Sequence, residues 1–336
     1  MSSNETFNAV LARLRDTSQP VPMASLYHLS DLNKEDQAAL EAVWPELSTE
    51  RRQAIVANLQ EIAEANFEVS FDEVFKLALE DASPEARAVA IRALWESEDP
   101  TLMAPLIDYL LHDPDPVVRA AAASALGRFV YLGELEELPV AQVKRVEAVL
   151  LDVIHGDDEL EVRRRALEAL AFSARPELSA LISEAYASDE ASMRVSAVFA
   201  MGRAADAQWE SQVRAELESS EPEMRFEAVR AAGELELTDL ASQLAELAED
   251  DDNQVSEAAI WSLGQVGGDV AREALTQLLE QAEDEEMRDF IDEALENLQF
   301  TNEVAEFSLL EFGPDDDDPL DLDDALSDDG DEDEPA

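Results

Sequence analysis

The chain has 336 residues, and its 79 acidic residues outnumber its 23 basic residues, so its formal net charge is −56. Nucleic acids and anionic lipids are bound mainly by lysine and arginine, so this charge argues against both and favours a basic or peptide-like protein partner. The absence of cysteine excludes disulfides, cysteine-ligated metals and thiol nucleophiles.

Residues 1–32 predict an N-terminal capping helix followed by a linker. The apolar face of the helix consists of Phe7, Val10, Leu11 and Leu14. The linker contains Pro20 and Pro22. The segment lacks the basic-then-apolar order of a signal peptide, and no run in the chain reaches the roughly 18 apolar residues of a membrane helix. We therefore expect a cytoplasmic protein without membrane contact.

A short motif recurs over residues 33–300, in which an arginine is followed three, six and seven residues later by small or apolar residues. Its anchors are Arg52, Arg87, Arg119, Arg163, Arg194, Arg225, Ser256 in place of arginine, and Arg288. Successive anchors are 35, 32, 44, 31, 31, 31 and 32 residues apart, which is a period typical of units of two helices. A single pair of short, alanine-rich helices buries too little area to be stable, so neighbouring units must stack.

The turns inside the units carry helix-capping signals. Asp115 is placed to cap a second helix and Pro116 to occupy its first position, and Ser83 and Pro84 have the same roles one unit earlier. The segment DPDPVVRAAAASALG, with its turn aspartate, Val-Arg pair, alanines and leucine, resembles HEAT repeats. The short bacterial repeats of the phycobilisome-lyase-like HEAT family are the most similar kind.

The resemblance implies an all-α, right-handed α-solenoid of about eight HEAT-like helix pairs. It also implies a ladder between repeats, formed by the turn aspartates and the helix arginines. The six-residue spacing of this ladder is kept by Asp81 and Arg87, Asp113 and Arg119, and Asp157 and Arg163. The aspartate is replaced at Ser188, Ser219 and Ala282, so the ladder is expected to be interrupted there.

Three regions depart from the period. The 44-residue gap contains FVYLGELEELPVAQ, which suggests a protruding loop over residues 129–142. Residues 301–312 are predicted to form a C-terminal cap on the solenoid. Residues 313–336 are predicted to be a disordered acidic tail, because 13 of the residues in 314–336 are acidic and none is basic.

Catalytic chemistry has no recognisable motif in this sequence. His112 and His155 lie at or before turns between helices, where histidine is typically a capping or solvated residue. Among HEAT-like proteins, the deoxyhypusine hydroxylases hold iron with His-Glu pairs, whereas none of His28, His112 and His155 is followed by glutamate here. We therefore expect no catalytic residue, no bound metal and no cofactor.

In HEAT solenoids the second helix of each pair lines the concave side, so the motif provides a register for that face. Positions one, five and nine residues after each anchor are predicted to face outward. In the central repeats these positions hold Arg164, Val195, Phe226, Phe199, Arg230, Trp261, Arg128, Phe172 and Arg203. Arginine and large aromatic residues are enriched in binding hot spots. We predict that the partner-binding surface of the concave face consists of Arg164, Phe199, Arg203, Phe226, Arg230 and Trp261.

These patterns agree best with a non-enzymatic scaffold or adaptor for protein–protein interaction, working as a monomer or a heteromer. Two alternatives stay open. The repeat motif also agrees with a phycobilin-lyase-like pigment lyase or isomerase subunit of the E/F type. The acidic body and tail also agree with an acidic chaperone or nucleic-acid mimic that holds basic proteins by charge. An acid excess with only three lysines is equally typical of adaptation to high salt, in which case the charge serves no partner.

Overall fold

The computed structural model describes residues 7–311, which contain eighteen α-helices and no β-strand. Helices α1–α9 span Phe7–Arg15, Met23–Leu26, Lys34–Val43, Thr49–Ala65, Asp72–Ala78, Pro84–Ala93, Met103–His112, Pro116–Glu134 and Val140–His155. Helices α10–α18 span Leu160–Leu170, Leu178–Tyr186, Ala191–Arg203, Glu210–Glu216, Pro222–Glu234, Ala241–Leu247, Asn253–Val266, Gly268–Gln281 and Glu285–Glu311. The predicted disordered tail, residues 313–336, lies outside the described residues.

In the described part of the chain, helices α3 to α18 follow one another as eight pairs along the sequence. The even-numbered helices from α4 to α18 form one continuous row in which each helix packs against the next. From α5 onward, each odd-numbered helix packs against the even-numbered helix that follows it. The predicted all-α solenoid of about eight helix pairs is therefore confirmed. We call the even-numbered helices the second helices.

Small residues let the second helices approach one another closely. Helix α8 buries four consecutive alanines, from Ala120 to Ala123, and Val118 and Leu126 complete its apolar stripe. Where α8 crosses α10, a β-carbon built on Gly127 would lie only 3.1 Å from the Cα atom of Ala169. Side chains of this size fill the contact without forcing the backbones apart, and stacking then buries the area that no single pair can bury.

The predicted caps are confirmed. The side chain of Ser83 accepts a hydrogen bond from the backbone N–H of Ala86, and Pro84 begins α6. The side chain of Asp115 accepts one from the N–H of Val117, and Pro116 begins α8. Each cap satisfies a backbone donor that the first turn of a helix leaves without a partner.

The predicted protruding loop over residues 129–142 is wrong. Helix α8 instead continues to Glu134, and α9 begins at Val140, so only five residues connect them. Phe129, Val130 and Leu132 are buried, which shows that the apolar stripe of α8 simply runs further than in the other repeats. The insertion lengthens a helix because its apolar residues keep helical spacing and find a partner surface on α9.

A ladder of ion pairs connects neighbouring repeats, as the resemblance implied. In the described part of the chain its pairs are Arg52 with Asp81 at 2.6 Å, Arg87 with Asp113 at 2.8 Å, Arg119 with Asp158 at 2.7 Å, and Arg225 with Asp250 at 2.8 Å. Each arginine therefore reaches the aspartate of the next repeat. The six-residue spacing instead reflects a hydrogen bond within one repeat, because Arg87 Nη1 donates to the backbone carbonyl of Asp81 at 2.8 Å.

The third predicted member of the ladder is corrected by the structure. Arg119 pairs with Asp158 rather than with Asp157, and Arg163 donates to the carbonyl oxygen of Ile154 at 3.1 Å. Arg194 donates to backbone carbonyls of its own turn. Serine at the corresponding turns leaves these two arginines without a described aspartate partner, so the interruption is confirmed in the central repeats.

Helix α18 is the longest helix, with 27 residues, and it runs across residue 300 to Glu311. The predicted C-terminal cap, residues 301–312, is thus continuous with the last repeat up to that point. The proposed division of the chain into residues 1–32, 33–300, 301–312 and 313–336 stays an expectation.

Candidate functional site

Arginine and phenylalanine side chains alternate along the second helices of the central repeats. Arg203 lies over the rings of Phe172 and Phe199, with 5.4 Å from its guanidinium carbon to each ring centroid. Arg230 lies over the rings of Phe199 and Phe226, at 5.7 and 5.5 Å. We call these five residues the arginine–aromatic ladder. It crosses from the end of α10 over α12 to α14.

The repeat register produces this alternation. Phe199 and Arg203 are four residues apart on α12, and Phe226 and Arg230 are four residues apart on α14, so each pair lies on one helix face. The stacking of second helices then brings each arginine next to the ring of the preceding repeat. A cation over an aromatic face contributes about 0.5–1 kcal/mol at exposed positions and about 2 kcal/mol when it is desolvated.

The aromatic contacts continue onto α8. The ring of Tyr131 meets the ring of Phe172 edge-on, with centroids 5.8 Å apart and an angle of 71° between the planes. The guanidinium of Arg128 lies 5.7 Å from the Tyr131 centroid. The elongated end of α8 therefore extends the same type of surface by one more repeat.

Carboxylates lie beside the arginine–aromatic ladder and partly neutralise the charges of its arginines. Glu234 approaches Arg203 to 3.2 Å and Arg230 to 3.6 Å, and Glu227 approaches Arg230 to 3.4 Å. Burial raises the pKa of Glu227 to about 7, because desolvation and the nearby charges of Glu168 and Glu234 outweigh the attraction of the arginines. Burial also raises the pKa of Glu234, against the opposing effect of Arg203 and Arg230.

Two cavities open along this surface. The first, about 660 Å³, is lined by three arginines and three aromatic residues, with apolar residues between them, and we call it the arginine cavity. Its charged and aromatic residues are Arg92, Trp95, Arg128, Tyr131, Phe172 and Arg203.

The second cavity, about 590 Å³, has walls of mixed charge, and we call it the ion-pair cavity. Its charged residues are Arg164, Arg165, Glu168, Glu223, Glu227, Arg230 and Asp252. Phe199 and Phe226 lie between them. Arg164 is nearly covered here, since its Nε donates to Ser196 at 3.0 Å and it pairs with Glu161 at 3.0 Å.

The structure divides the predicted surface into three parts. Arg164, Phe199, Phe226 and Arg230 line the ion-pair cavity, and Arg203 lines the arginine cavity. Trp261 lies on α16 outside both cavities and is 42% exposed. Phe199 and Phe226 are half-buried.

Val195 lies in the wall of the ion-pair cavity, on the face that its register position predicts, but it is only 7% exposed. Position one after the anchor borders the packed stripe, so a small aliphatic side chain there is covered by its neighbours.

The sequence-based prediction missed Arg92, Trp95, Tyr131 and Glu227. Arg92 had a usable signal, since it lies five residues after the anchor Arg87, as Phe199 does after its own anchor. Tyr131 lies beyond the repeat motif, and its position depends on the extended α8. Nothing in the sequence separates Glu227 from the other 78 acids, because its raised pKa results from burial.

The histidines lie apart from this surface. His112 Nδ1 is 3.0 Å from a carboxylate oxygen of Asp108, and His155 Nδ1 is 3.0 Å from the carbonyl oxygen of Leu151. Within residues 7–311, no group of three or more His, Asp or Glu side chains has an arrangement that could hold a metal ion. No helix of the described residues has the length and apolar character needed to cross a membrane.

Comparison with known proteins identifies the repeat family. The family model described as HEAT repeats matches residues 71–171 and 210–296, which is more than half of the chain. No curated protein matches the sequence.

Among solved structures, YibA of Escherichia coli is similar over 89% of this chain and 98% of its own, with 14% identity and a TM-score of 0.43. Human deoxyhypusine hydroxylase is similar over 88% and 96%, with 17% identity and a TM-score of 0.35. The CpcE–CpcF complex of phycocyanin lyase from Nostoc sp. PCC7120 is similar over 88% and 96%, with 16% identity and a TM-score of 0.33. These likenesses concern the fold and select no activity.

Proposed function

This chain belongs to the family of HEAT-repeat proteins, and we propose that it is a non-enzymatic scaffold that binds a partner protein across the arginine–aromatic ladder. The observation that carries the proposal is the ladder itself. Arginine is enriched in binding hot spots and phenylalanine is enriched at protein interfaces, and here both lie together on consecutive second helices. Aromatic rings and guanidinium groups held by mutual stacking lose little further side-chain freedom when a partner covers them.

The charges favour a partner segment with basic residues. The ion-pair cavity contains four carboxylates, of Glu168, Glu223, Glu227 and Asp252, against three arginines. The net charge of −56 attracts a basic partner at long range, and the ladder supplies short-range contacts. A peptide-like segment of a basic protein fits both features.

A role without catalysis agrees with the side chains of this site. Glu227, with its pKa near 7, has the protonation behaviour of a catalytic acid or base. The described lining of the ion-pair cavity contains no serine, histidine, lysine or tyrosine, and its other acids are Glu168, Glu223 and Asp252. The carboxylate of Glu168 is held by Arg165 at 2.7 Å and by the hydroxyl of Ser196, so it is placed as an ion-pair partner. We therefore assign the raised pKa to burial beneath the ladder.

The test is affinity capture from native lysate, followed by affinity measurement with the captured protein. Phe199→Ala removes the ring shared by both ladder arginines, and Phe199→Leu keeps apolar packing but removes the aromatic face. Phe67→Ala is the matched control, because Phe67 is 89% exposed and lies outside both cavities. We expect both Phe199 variants to remain folded and to weaken binding, Phe199→Ala by roughly thirtyfold, as for a hot spot worth about 2 kcal/mol.

Equal capture by Phe199→Ala and Phe67→Ala would contradict the proposal. Capture that survives Phe199→Ala but disappears on addition of salt would assign binding to net charge, as for an acidic chaperone.

A further inference from the structure

The arginine cavity has an unusual charge for this protein. Three guanidinium groups, of Arg92, Arg128 and Arg203, lie on its walls, and no carboxylate lines it among the residues that the structure describes. The chain as a whole carries 79 acids against 23 bases. A cationic cavity in so acidic a protein is a local exception that favours an anionic occupant.

The donors of this cavity are incompletely used. Arg92 forms no ion pair with any described residue, and partial burial lowers its pKa while leaving it cationic at neutral pH. Arg128 pairs with Glu98, and Arg203 pairs with Glu234 at 3.2 Å. The Nε atoms of Arg128 and Arg203 are nevertheless buried without a hydrogen-bond partner in residues 7–311. Buried donors without acceptors are costly, so an occupant with acceptor oxygens would be stabilised here.

The remaining walls are apolar and aromatic. Trp95 is 59% exposed at the rim, Tyr131 is also exposed, and Phe172 lies between α8 and α12. An occupant that combines carboxylates with aliphatic side chains would pair with the guanidinium groups and cover these rings. An acidic peptide containing leucine has this chemistry.

We propose that the arginine cavity binds residues 314–336 of this same chain. This segment has 13 acids and no base, and its carboxylates are interspersed with leucines in the sequence PLDLDDAL. An acidic peptide from another molecule must approach a chain of net charge −56 against long-range repulsion. Residues 314–336 meet the same repulsion from the acidic body, but as part of the chain they are held nearby at high effective concentration, which offsets it in a way that a separate acidic peptide cannot.

The segment is long enough to reach the cavity. Helix α18 ends its described part at Glu311, in the eighth helix pair, and the cavity lies between α6 and α12. The near wall of the cavity, on α12, is three steps from α18 along the row of second helices, and its far wall, on α6, is six steps away. With roughly 10 Å between neighbouring second helices, these distances are roughly 30 and 60 Å. The 23 residues of 314–336 span up to roughly 75 Å when extended.

Binding of residues 314–336 in the arginine cavity would regulate partner binding by the proposed scaffold. The proposed binding does not itself require that the scaffold function is correct. Phe172 and Arg203 belong both to the arginine cavity and to the arginine–aromatic ladder. Residues 314–336 seated in the cavity therefore cover one end of the ladder and compete with a partner. The binding itself involves no partner, so it is tested in the isolated protein.

The first experiment uses the full-length chain with one label. Because the chain has no cysteine, Ser327→Cys provides a unique attachment point for a nitroxide, which quenches nearby tryptophan fluorescence. We expect weaker emission with the nitroxide than with its diamagnetic analogue, and we expect Trp95→Phe to abolish the difference. Arg92→Ala should restore the emission, whereas Arg145→Ala, an exposed arginine of α9 outside the cavity, should not.

The second experiment adds a synthetic peptide of residues 314–336 to the labelled protein. The peptide should displace the attached segment and restore the emission of Trp95. Arg92→Ala should weaken binding of the peptide by at least about tenfold, as expected for loss of a charged hydrogen bond. A peptide with its leucines replaced by serine should also bind more weakly.

The proposal is overturned if the nitroxide does not quench Trp95, or if quenching is the same in Arg92→Ala and Arg145→Ala. Quenching that grows with protein concentration would assign the occupant to a second copy of the chain and would also overturn it. None of these results depends on partner capture, so they leave the proposed scaffold function to its own test.

Discussion

The buried carboxylate of Glu227 makes a prediction about stability and pH. Glu227 has a pKa raised from its ordinary 4.5 to about 7, and burial is the largest cause. The folded state therefore binds a proton more tightly than the unfolded state, and the stability contributed by this group falls as pH rises from 4.5 to 7. At about 1.4 kcal/mol per pKa unit, the loss is about 3 kcal/mol.

Glu227→Gln removes this titration while keeping the size of the side chain. Arg230 keeps Glu234 as a partner at 3.6 Å, so the variant does not leave it without a carboxylate. We compare the free energy of unfolding of the variant with that of the wild type at each pH. This difference should shift in favour of the variant by about 3 kcal/mol between pH 4.5 and about pH 8. Most of this change should occur between the two pKa values.

The measurement is urea unfolding of both proteins across this pH range, supported by NMR titration of the carboxyl carbon of Glu227. Glu223→Gln is the control, because Glu223 lies on the same helix with its side chain 65% exposed. Its stability difference from wild type should show no comparable slope. A pH-independent difference for Glu227→Gln would refute the reasoning, and a difference of opposite slope would mean that pairing with Arg230 outweighs burial.

Three further outcomes are expected. Trp261→Ala should cost only about 1 kcal/mol in the free energy of unfolding, because Trp261 is 42% exposed, whereas Phe129→Ala in the core should cost roughly 3–5 kcal/mol. Equal costs in urea unfolding would place Trp261 in the core. Gly264→Ala should destabilise by about 1–3 kcal/mol in the same assay, because its β-carbon would lie 2.6 Å from the carbonyl oxygen of Ala294, and an unchanged midpoint would contradict this close packing. The Tm measured by circular dichroism should rise with NaCl, because the Debye length shortens from about 30 Å at 0.01 M to about 8 Å at physiological salt, and a falling Tm would mean that ion pairs outweigh repulsion.

The local signals in the sequence predicted the repeats well. The anchor arginines mark the second helices because each donates to its own turn, as Arg87 does to the carbonyl of Asp81. Ser83 and Asp115 cap their helices because a side-chain oxygen followed by proline favours a helix start wherever it occurs. These interactions lie within about ten residues, so the residues themselves specify them.

The candidate site was predictable only in part. The register identified Phe199, Arg203, Phe226 and Arg230 as neighbours on consecutive helices, and the structure brings them into one stack. It did not separate this stack from Trp261, which has the same register position as Arg230 but lies outside both cavities. Contacts between repeats depend on how far each helix extends and how closely it packs, and the motif specifies neither.

The sequence by itself determined that this protein is a stack of helix pairs with a period of 31 or 32 residues in most repeats, because helix periodicity, caps and anchor arginines are local properties. Only the tertiary structure decided that Arg119 pairs with Asp158 and that the insertion after residue 128 extends α8. It also decided which of many like charges are buried, and thereby raised the pKa of Glu227 and gathered three arginines around one cavity. Desolvation depends on the neighbours that stacking brings from distant repeats, and those neighbours exist only in the folded chain.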